Sequence, residues 1–278
     1  MLSPLLLLLL LAGPTRAERC KPAWRLLQAG VSYAKVPVDC GGKPAAVVKV
    51  RDDRLHLVRV EPGKVKLRAL IASQLKSSTL SAGQWAKKHR LALVINLGMY
   101  LNDHRTHVGY LRSGDHVDSR RWVKGYQSLL VLGPRAKGLP TAAMLDLEDP
   151  GAREQGARYD TVVQNLRLIR LQKQGKGVWS SQPRRWSEAA LAIDDRGRLL
   201  FLFARAPLTM WELNRLLLAL PLGIVRAMHL EGGPEASLSI HAGGVELDLC
   251  GSFETGFVAD DSNASQWPLP NVLGVERR

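Results

Sequence analysis

The sequence predicts an α+β fold in which a mixed β-sheet carries packed helices within a single domain. Three observations predict it. Short apolar segments punctuated by turn residues recur along the chain, hairpin turns join several of them, and two helices open on complete capping boxes. Hairpins imply antiparallel pairing. The helix-to-strand passages add an expectation of parallel pairs, which makes the expected sheet mixed.

The chain opens with a leucine run, Leu5 to Leu11, followed by Ala12-Gly13-Pro14 and then by Thr15-Arg16-Ala17. An apolar stretch of this length before small residues predicts a signal peptide over residues 1–17, with the mature domain at 18–278. The run is too short to span a bilayer, which takes about 20 apolar residues. The next candidate, Leu213 to Ile224, is interrupted by Asn214, Arg215 and Pro221. A secreted or periplasmic protein without a transmembrane segment after cleavage is therefore expected.

Ala45 to Val50 and Leu55 to Val60 read as strands around the turn Arg51-Asp52-Asp53-Arg54. Ser81-Ala82-Gly83-Gln84 is a capping box and opens a helix to about His89. Leu91 to Ile95 reads as a short buried strand ending at Asn96-Leu97-Gly98-Met99-Tyr100. Tyr110 to Val117 suggests a hairpin turning at Ser113-Gly114-Asp115, and Ser128 to Leu132 another strand. Pro134 to Arg158, rich in Gly, Pro and charge, reads as a long surface excursion, and Leu166 to Leu171 as a strand.

The last third is more regular. Ala189 to Ile193 and Leu199 to Phe203 flank Asp194-Asp195-Arg196-Gly197, a hairpin signal. Thr209-Met210-Trp211-Glu212 is the second capping box. Its helix presents Trp211, Leu213, Leu216, Leu217 and Leu220 as an apolar face and stops at Pro221 and Gly223. Val225 to Leu230 reads as a strand running into Glu231-Gly232-Gly233-Pro234-Glu235. Ser237 to His241 and Val272 to Val275 read as closing strands.

Composition narrows the function. A formal charge of +14, spread along the chain, favours anionic partners. No nucleic-acid-binding motif accompanies it, and an aromatic content of 6% argues against a base-stacking platform. The three cysteines, Cys20, Cys40 and Cys250, allow at most one intramolecular disulfide, with Cys20–Cys40 the favoured pair because it ties down the start of the mature chain. A Gly-x-Ser-x-Gly elbow, a Walker loop and a His-Glu-x-x-His motif are all absent from the sequence.

Two segments carry a resemblance. Thr79 to Gly109 presents a capped helix, a strand, an Asn-x-Gly-x-aromatic turn and a later Val-Gly. Ala189 to Leu238 presents a strand hairpin, a Thr-initiated helix and a strand ending in acid-Gly-Gly. With the closing Pro268 to Val275, this order of pieces resembles the phosphodiester glycosidase family. The resemblance implies that fold, a phosphate-bearing carbohydrate as substrate, and hydrolysis between an anomeric carbon and a phosphodiester oxygen. By position, Asn96, Gly98 and Tyr100 take the family's first turn, Arg205 its arginine, and Glu231, Gly232 and Gly233 its Asp-Gly-Gly. The sequence departs from the family at Glu231, where Asp is usual, at Glu235, where Ser is usual, and at Leu97 and Ala204, where smaller residues are usual.

Such a reaction expels a phosphomonoester, whose second pKa is about 6, so the leaving group needs little protonation. It does need a carboxylate to direct water or to attack, and donors for the phosphate. Glu231 and Glu235 are the candidate carboxylates, and Arg205 is the candidate phosphate clamp. Asn96 and Tyr100 are candidate sugar contacts, and His107 and His104, on the following loop, candidate phosphate contacts. Arg185 and Glu188, around Trp186-Ser187, are a further candidate cation and acid. Gly232 and Gly233 allow backbone amides to approach a ligand closely. No cofactor is assigned, and a divalent cation, calcium or magnesium, is a candidate because Glu231, Glu235 and backbone carbonyls are oxygen ligands. The competing expectation is a non-catalytic protein of the same fold that binds anionic glycans through its basic surface.

Overall fold

Strict alternation along the longest strand sets the layering. On Leu199–Leu208, Leu199, Phe201 and Phe203 face one apolar core, while Leu200, Leu202, Ala204, Ala206 and Leu208 face another. Side chains of a strand alternate between faces, so a strand buried throughout must be covered on both sides. The computed structural model describes residues 15–42, 49–170 and 177–278.

Three sheets result. The seven-stranded sheet runs, in spatial order, Arg25–Gln28, Val31–Pro37, Arg54–Val60, Leu199–Leu208, Trp186–Asp194, Ile224–Gly232 and Arg167–Ile169. A five-stranded sheet runs Val245–Cys250, Ser237–Ala242, Leu91–Asn96, Asn271–Glu276, Leu67–Ile71. Another runs His116–Ser119, Leu111–Ser113, Tyr159–Asn165, Ser128–Pro134, Ala142–Asp146. The main core, with Val58, Phe201, Leu93, Ile95, Leu130 and Val163, draws on all three.

One helix covers the outer face of each sheet. Met210–Ala219 packs Leu213, Leu216 and Leu217 onto the seven-stranded sheet. Ala82–His89 buries Trp85 and Ala86 against Leu91, Val94 and Val272. Ala152–Ala157 sits over Leu129, Val131 and Tyr159. Both predicted capping boxes form, with Ser81 accepting from the Gln84 N–H and Thr209 from the Glu212 N–H.

The α+β class fits broadly, but helix is minor, at 15% against 44% strand. The expected mixed sheet is corrected: every strand pair among the described residues is antiparallel. The reason is topological. Helix Ala82–His89 does return the chain to the sheet it left, but Asn271–Glu276 is inserted between Leu67–Ile71 and Leu91–Asn96. Likewise Trp186–Asp194 separates Leu199–Leu208 from Ile224–Gly232. Each helical crossover skips one strand, and the strand in between runs the opposite way.

The surface excursion expected over Pro134 to Arg158 is also corrected. It contains the edge strand Ala142–Asp146, paired with Ser128–Pro134, and helix Ala152–Ala157. Tyr159–Asn165, Val31–Pro37, Leu67–Ile71 and Val245–Cys250 are strands that local pattern did not flag. The strand expected at Leu166 to Leu171 is the shorter Arg167–Ile169. The leucine run lies outside the described residues, as does most of the strand expected at Ala45 to Val50, whose last residues, 49–50, are not strand. Ala17 falls within a short helix, Arg16–Arg19, capped by Thr15. The Cys20–Cys40 disulfide is present, and Cys250 is a buried free thiol.

Candidate active site

The two motif turns, more than a hundred residues apart in sequence, meet at the ends of Leu91–Asn96 and Ile224–Gly232. Asn96 makes the join. Its amide donates to the Glu235 carbonyl at 3.1 Å, and its oxygen accepts the Ser237 N–H at 2.8 Å. Gly98 follows with φ of 155°, in a slot so narrow that a Cβ would lie 2.3 Å from Asn165 Oδ1 and from His107 Cε1. Only glycine fits there. The chain then turns so that Tyr100 stands beside the acids. Burial and the charges of Glu231 and Glu235 raise the affinity of its hydroxyl for its proton.

Glu231 ends the strand Ile224–Gly232, buried, with the Gly232 N–H donating to its Oε1 at 3.1 Å. The tight turn Gly233–Glu235 follows, with Gly233 in the left-handed region at φ 64°. Glu254 arrives from another direction, on a loop pinned by a backbone bridge to Trp186 and by the Ser187 N–H donating to the Phe253 carbonyl. The carboxyls of Glu235 and Glu254 approach the same side of Gly233.

This crowding has electrostatic consequences. Burial, reinforced by the charge on Glu235, holds the Glu231 carboxyl well above the usual carboxylate range. Burial, with help from Glu254, pushes Glu235 up to about 7. Glu188, two strands over in sequence but adjacent in space, is also raised by burial, against the opposing pull of His229. Glu231 opens onto a cavity of about 350 Å³ walled by Tyr126, Trp179, Trp186 and His229, with Arg184 exposed at its edge. A cavity of about 520 Å³ lies elsewhere, against helix Ala82–His89, and none of the candidate site residues lines it.

Of the sequence candidates, Glu231, Glu235, Asn96, Gly98, Tyr100, Gly232 and Gly233 are brought together. Arg205 is not a free clamp. Its Nε donates to Asp261 Oδ1 at 2.6 Å, Nη1 to the Cys250 carbonyl and sulfur, and Nη2 to the carbonyls of Asp261 and Asn263. All five N–H groups are engaged in holding the segment from Cys250 to Asn263. Arg185 pairs with Glu212 at 2.5 Å and anchors helix Met210–Ala219. His107 is fully buried behind Gly98, with Nε2 on the Gln164 carbonyl at 2.9 Å, and does not sit on an open loop. Glu188 stands at the site, but bonded to His229 and Trp186.

Sequence reasoning missed Glu254, Tyr126, Trp179, Arg184 and His229. Glu254 and Arg184 lie in loops with no periodicity to mark them. Trp179 and His229 sit in or beside strands where burial alone would explain them. Among the described residues, no three His, Cys, Asp or Glu side chains are grouped so as to hold a metal ion.

These turns and their order match the phosphodiester glycosidase family over residues 89–276, most of the chain. The chain belongs to the phosphodiester glycosidase family. Among solved structures it is similar to the catalytic domain of zebrafish N-acetylglucosamine-1-phosphodiester alpha-N-acetylglucosaminidase auto-inhibited by its pro-peptide. That match has 12% identity and a TM-score of 0.56, and covers 91% of this chain and 84% of the zebrafish chain. A hypothetical protein from Synechocystis matches with 15% identity and a TM-score of 0.56, over 90% of this chain and 64% of its own. At such identities the likeness concerns the fold alone. No curated protein sequence matches the chain. For a phosphodiester glycosidase, the arrangement supplies crowded carboxyls that both hold their protons more tightly than usual, aromatic walls suited to sugar faces, and burial at the acid end.

Proposed function

We propose that this phosphodiester glycosidase relative is an exported hydrolase that cleaves the bond between an anomeric carbon and the phosphodiester oxygen of a glycan, glycolipid or envelope polymer. One observation carries the reading: Glu231 lines an aromatic-walled cavity together with Glu254, and Glu235 crowds beside it on the same turn. Glu235, titrating near neutrality, takes a proton from the water that adds to the anomeric carbon. Glu231, whose carboxyl burial holds well above the usual carboxylate range, donates a hydrogen bond to the oxygen that departs as the carbon–oxygen bond breaks. The products are the free sugar and a phosphomonoester. Arg184, with no carboxylate partner among the described residues, is the phosphate contact at the rim in place of Arg205. Export rests on the leucine run ahead of Ala17. No helix among the described residues is long and apolar enough to cross a membrane.

The test is phosphomonoester release from a panel of sugar-1-phosphodiesters by residues 18–278, beside Glu231→Gln. Turnover that the substitution abolishes supports the reading. Turnover that survives it keeps the reaction and removes Glu231 from the site. A folded protein that binds anionic glycans without turnover points to the binding function instead.

A further inference from the structure

The cavity has acids at its floor, yet the two arginines expected to meet phosphate are engaged elsewhere. One buried pair at the floor has the opposite polarity. Glu188 and His229, 2% and 3% exposed, meet with His229 Nδ1 2.6 Å from Glu188 Oε1. The other Glu188 oxygen accepts from Trp186 Nε1–H at 2.8 Å. Glu188 thus meets a ring nitrogen with one oxygen and an indole N–H with the other, and with Glu188 ionised the proton of the first contact sits on Nδ1. The rest of the ring is aligned by the Trp186 indole, edge-on at 6.3 Å between centroids. His229 lines the same cavity as Glu231, which lies two residues further along the strand, and among the described residues its Nε2 has no protein partner. The groups facing it are Glu188 and Trp186 from the neighbouring strand, Glu231 from its own strand, Glu254 from the pinned loop, Tyr126, and Arg184 at the rim.

We propose that His229 contacts the phosphate of the substrate, donating from Nε2 to a phosphoryl oxygen, and that Glu188 is the positioning residue that holds the ring through Nδ1 and balances its charge. A buried charge on the ring would be paired and hydrogen-bonded through Nδ1, on the side away from the cavity, as such charges require. The open side is then a charge-assisted donor beside Glu231, where the leaving phosphate accumulates charge. The sequence candidate Glu188 thereby changes role, from an acid touching substrate to a support for a histidine. The identity of the ligand rests on the hydrolase reading; the contact itself does not.

The probe is inorganic phosphate, the anion shared by substrate and product, titrated into the full mature chain labelled with ¹⁵N-histidine. In the wild type, the His229 Nε2 resonance is expected to move saturably. His229→Gln is expected to weaken phosphate binding about tenfold, the worth of one charge-assisted hydrogen bond. Glu188→Gln is expected to weaken it as well and to change the Nδ1 and Nε2 shifts before phosphate is added, which a loss of packing alone would not do. Phosphate binding that leaves His229 Nε2 unmoved, or no saturable binding at all, overturns the inference, and the wild-type titration decides this even if the variants fold poorly. Turnover with an unchanged KM in a folded His229→Gln overturns it while leaving the hydrolase intact. A saturable Nε2 shift in a protein that turns over no phosphodiester supports the contact and removes the hydrolase.

Discussion

The side-chain amide of Asn96 donates to the backbone carbonyl of Glu235 at 3.1 Å, and its oxygen accepts the Ser237 N–H at 2.8 Å. One side chain thus clamps the turn that carries the candidate acid Glu235 to the end of a strand from the opposite part of the chain. Asn96 is 1% exposed, so neither bond is replaced by water if it is lost. Asn96→Ala leaves the buried Ser237 N–H unpaired, costing about 1–3 kcal/mol, and leaves the Glu235 carbonyl with only the Ser237 hydroxyl. The expected result is a loss of several degrees in Tm by calorimetry and a fall in kcat, because Glu235 is no longer held. An unchanged Tm would contradict the clamp.

Gly98→Ala tests the slot behind the first turn. The new Cβ would approach Asn165 and His107 at 2.3 Å, and both are buried and hydrogen-bonded to backbone carbonyls, so neither can retreat cheaply. Overpacking of this kind costs about 1–3 kcal/mol, or more where the backbone must move. Chemical denaturation is expected to place Gly98→Ala at least that far below wild type, with Gly125→Ala, which meets open space, much less affected.

Stability should respond to pH through the acid cluster, and the sign follows from the raised pKa values. Glu235 titrates at about 7 in the folded protein and near 4.5 when unfolded. Between those values the native state holds a proton that the unfolded state has released. Its stabilising contribution is therefore full at low pH and is lost as pH rises through 7. Glu231, raised by burial and by Glu235, acts in the same direction. Glu235→Gln removes its share: the variant is expected to gain on wild type by about 1 kcal/mol between pH 5.5 and 8.5 in urea unfolding, half the full linkage value because solvent screens a partly exposed carboxyl. A constant difference across that range would show that Glu235 titrates as an ordinary surface acid.

Arg205 and Arg184 should separate cleanly. Arg205→Lys cannot reproduce five directed N–H bonds and is expected to lower Tm and loosen the segment from Cys250 to Asn263. Arg184→Ala, at the exposed rim, is expected to leave Tm unchanged and raise KM for a phosphodiester severalfold, with a smaller effect on kcat. Steady-state kinetics beside calorimetry distinguishes the two.

Elements that obey local rules were legible before any tertiary contact was known. Capping boxes at Ser81 and Thr209 form because a hydroxyl and a carboxyl or amide three residues on satisfy each other's backbone donors. The hairpin at Asp194 to Gly197 forms because its turn residues and its flanking apolar runs agree. The acid-Gly-Gly turn and the Asn-x-Gly turn were legible for the same reason. Tertiary structure alone decided what those turns face. Whether Arg205 met phosphate or Asp261, whether His107 was open or sealed, and whether Glu188 touched substrate or His229 depended on partners 41 to 58 residues away in sequence. No local pattern encodes which donors a buried charge will find, because that choice is made when sheets pack and water is excluded. The antiparallel sheets were hidden for the same reason: inserting Asn271–Glu276 between two strands joined by a helix is a long-range event that neither strand records.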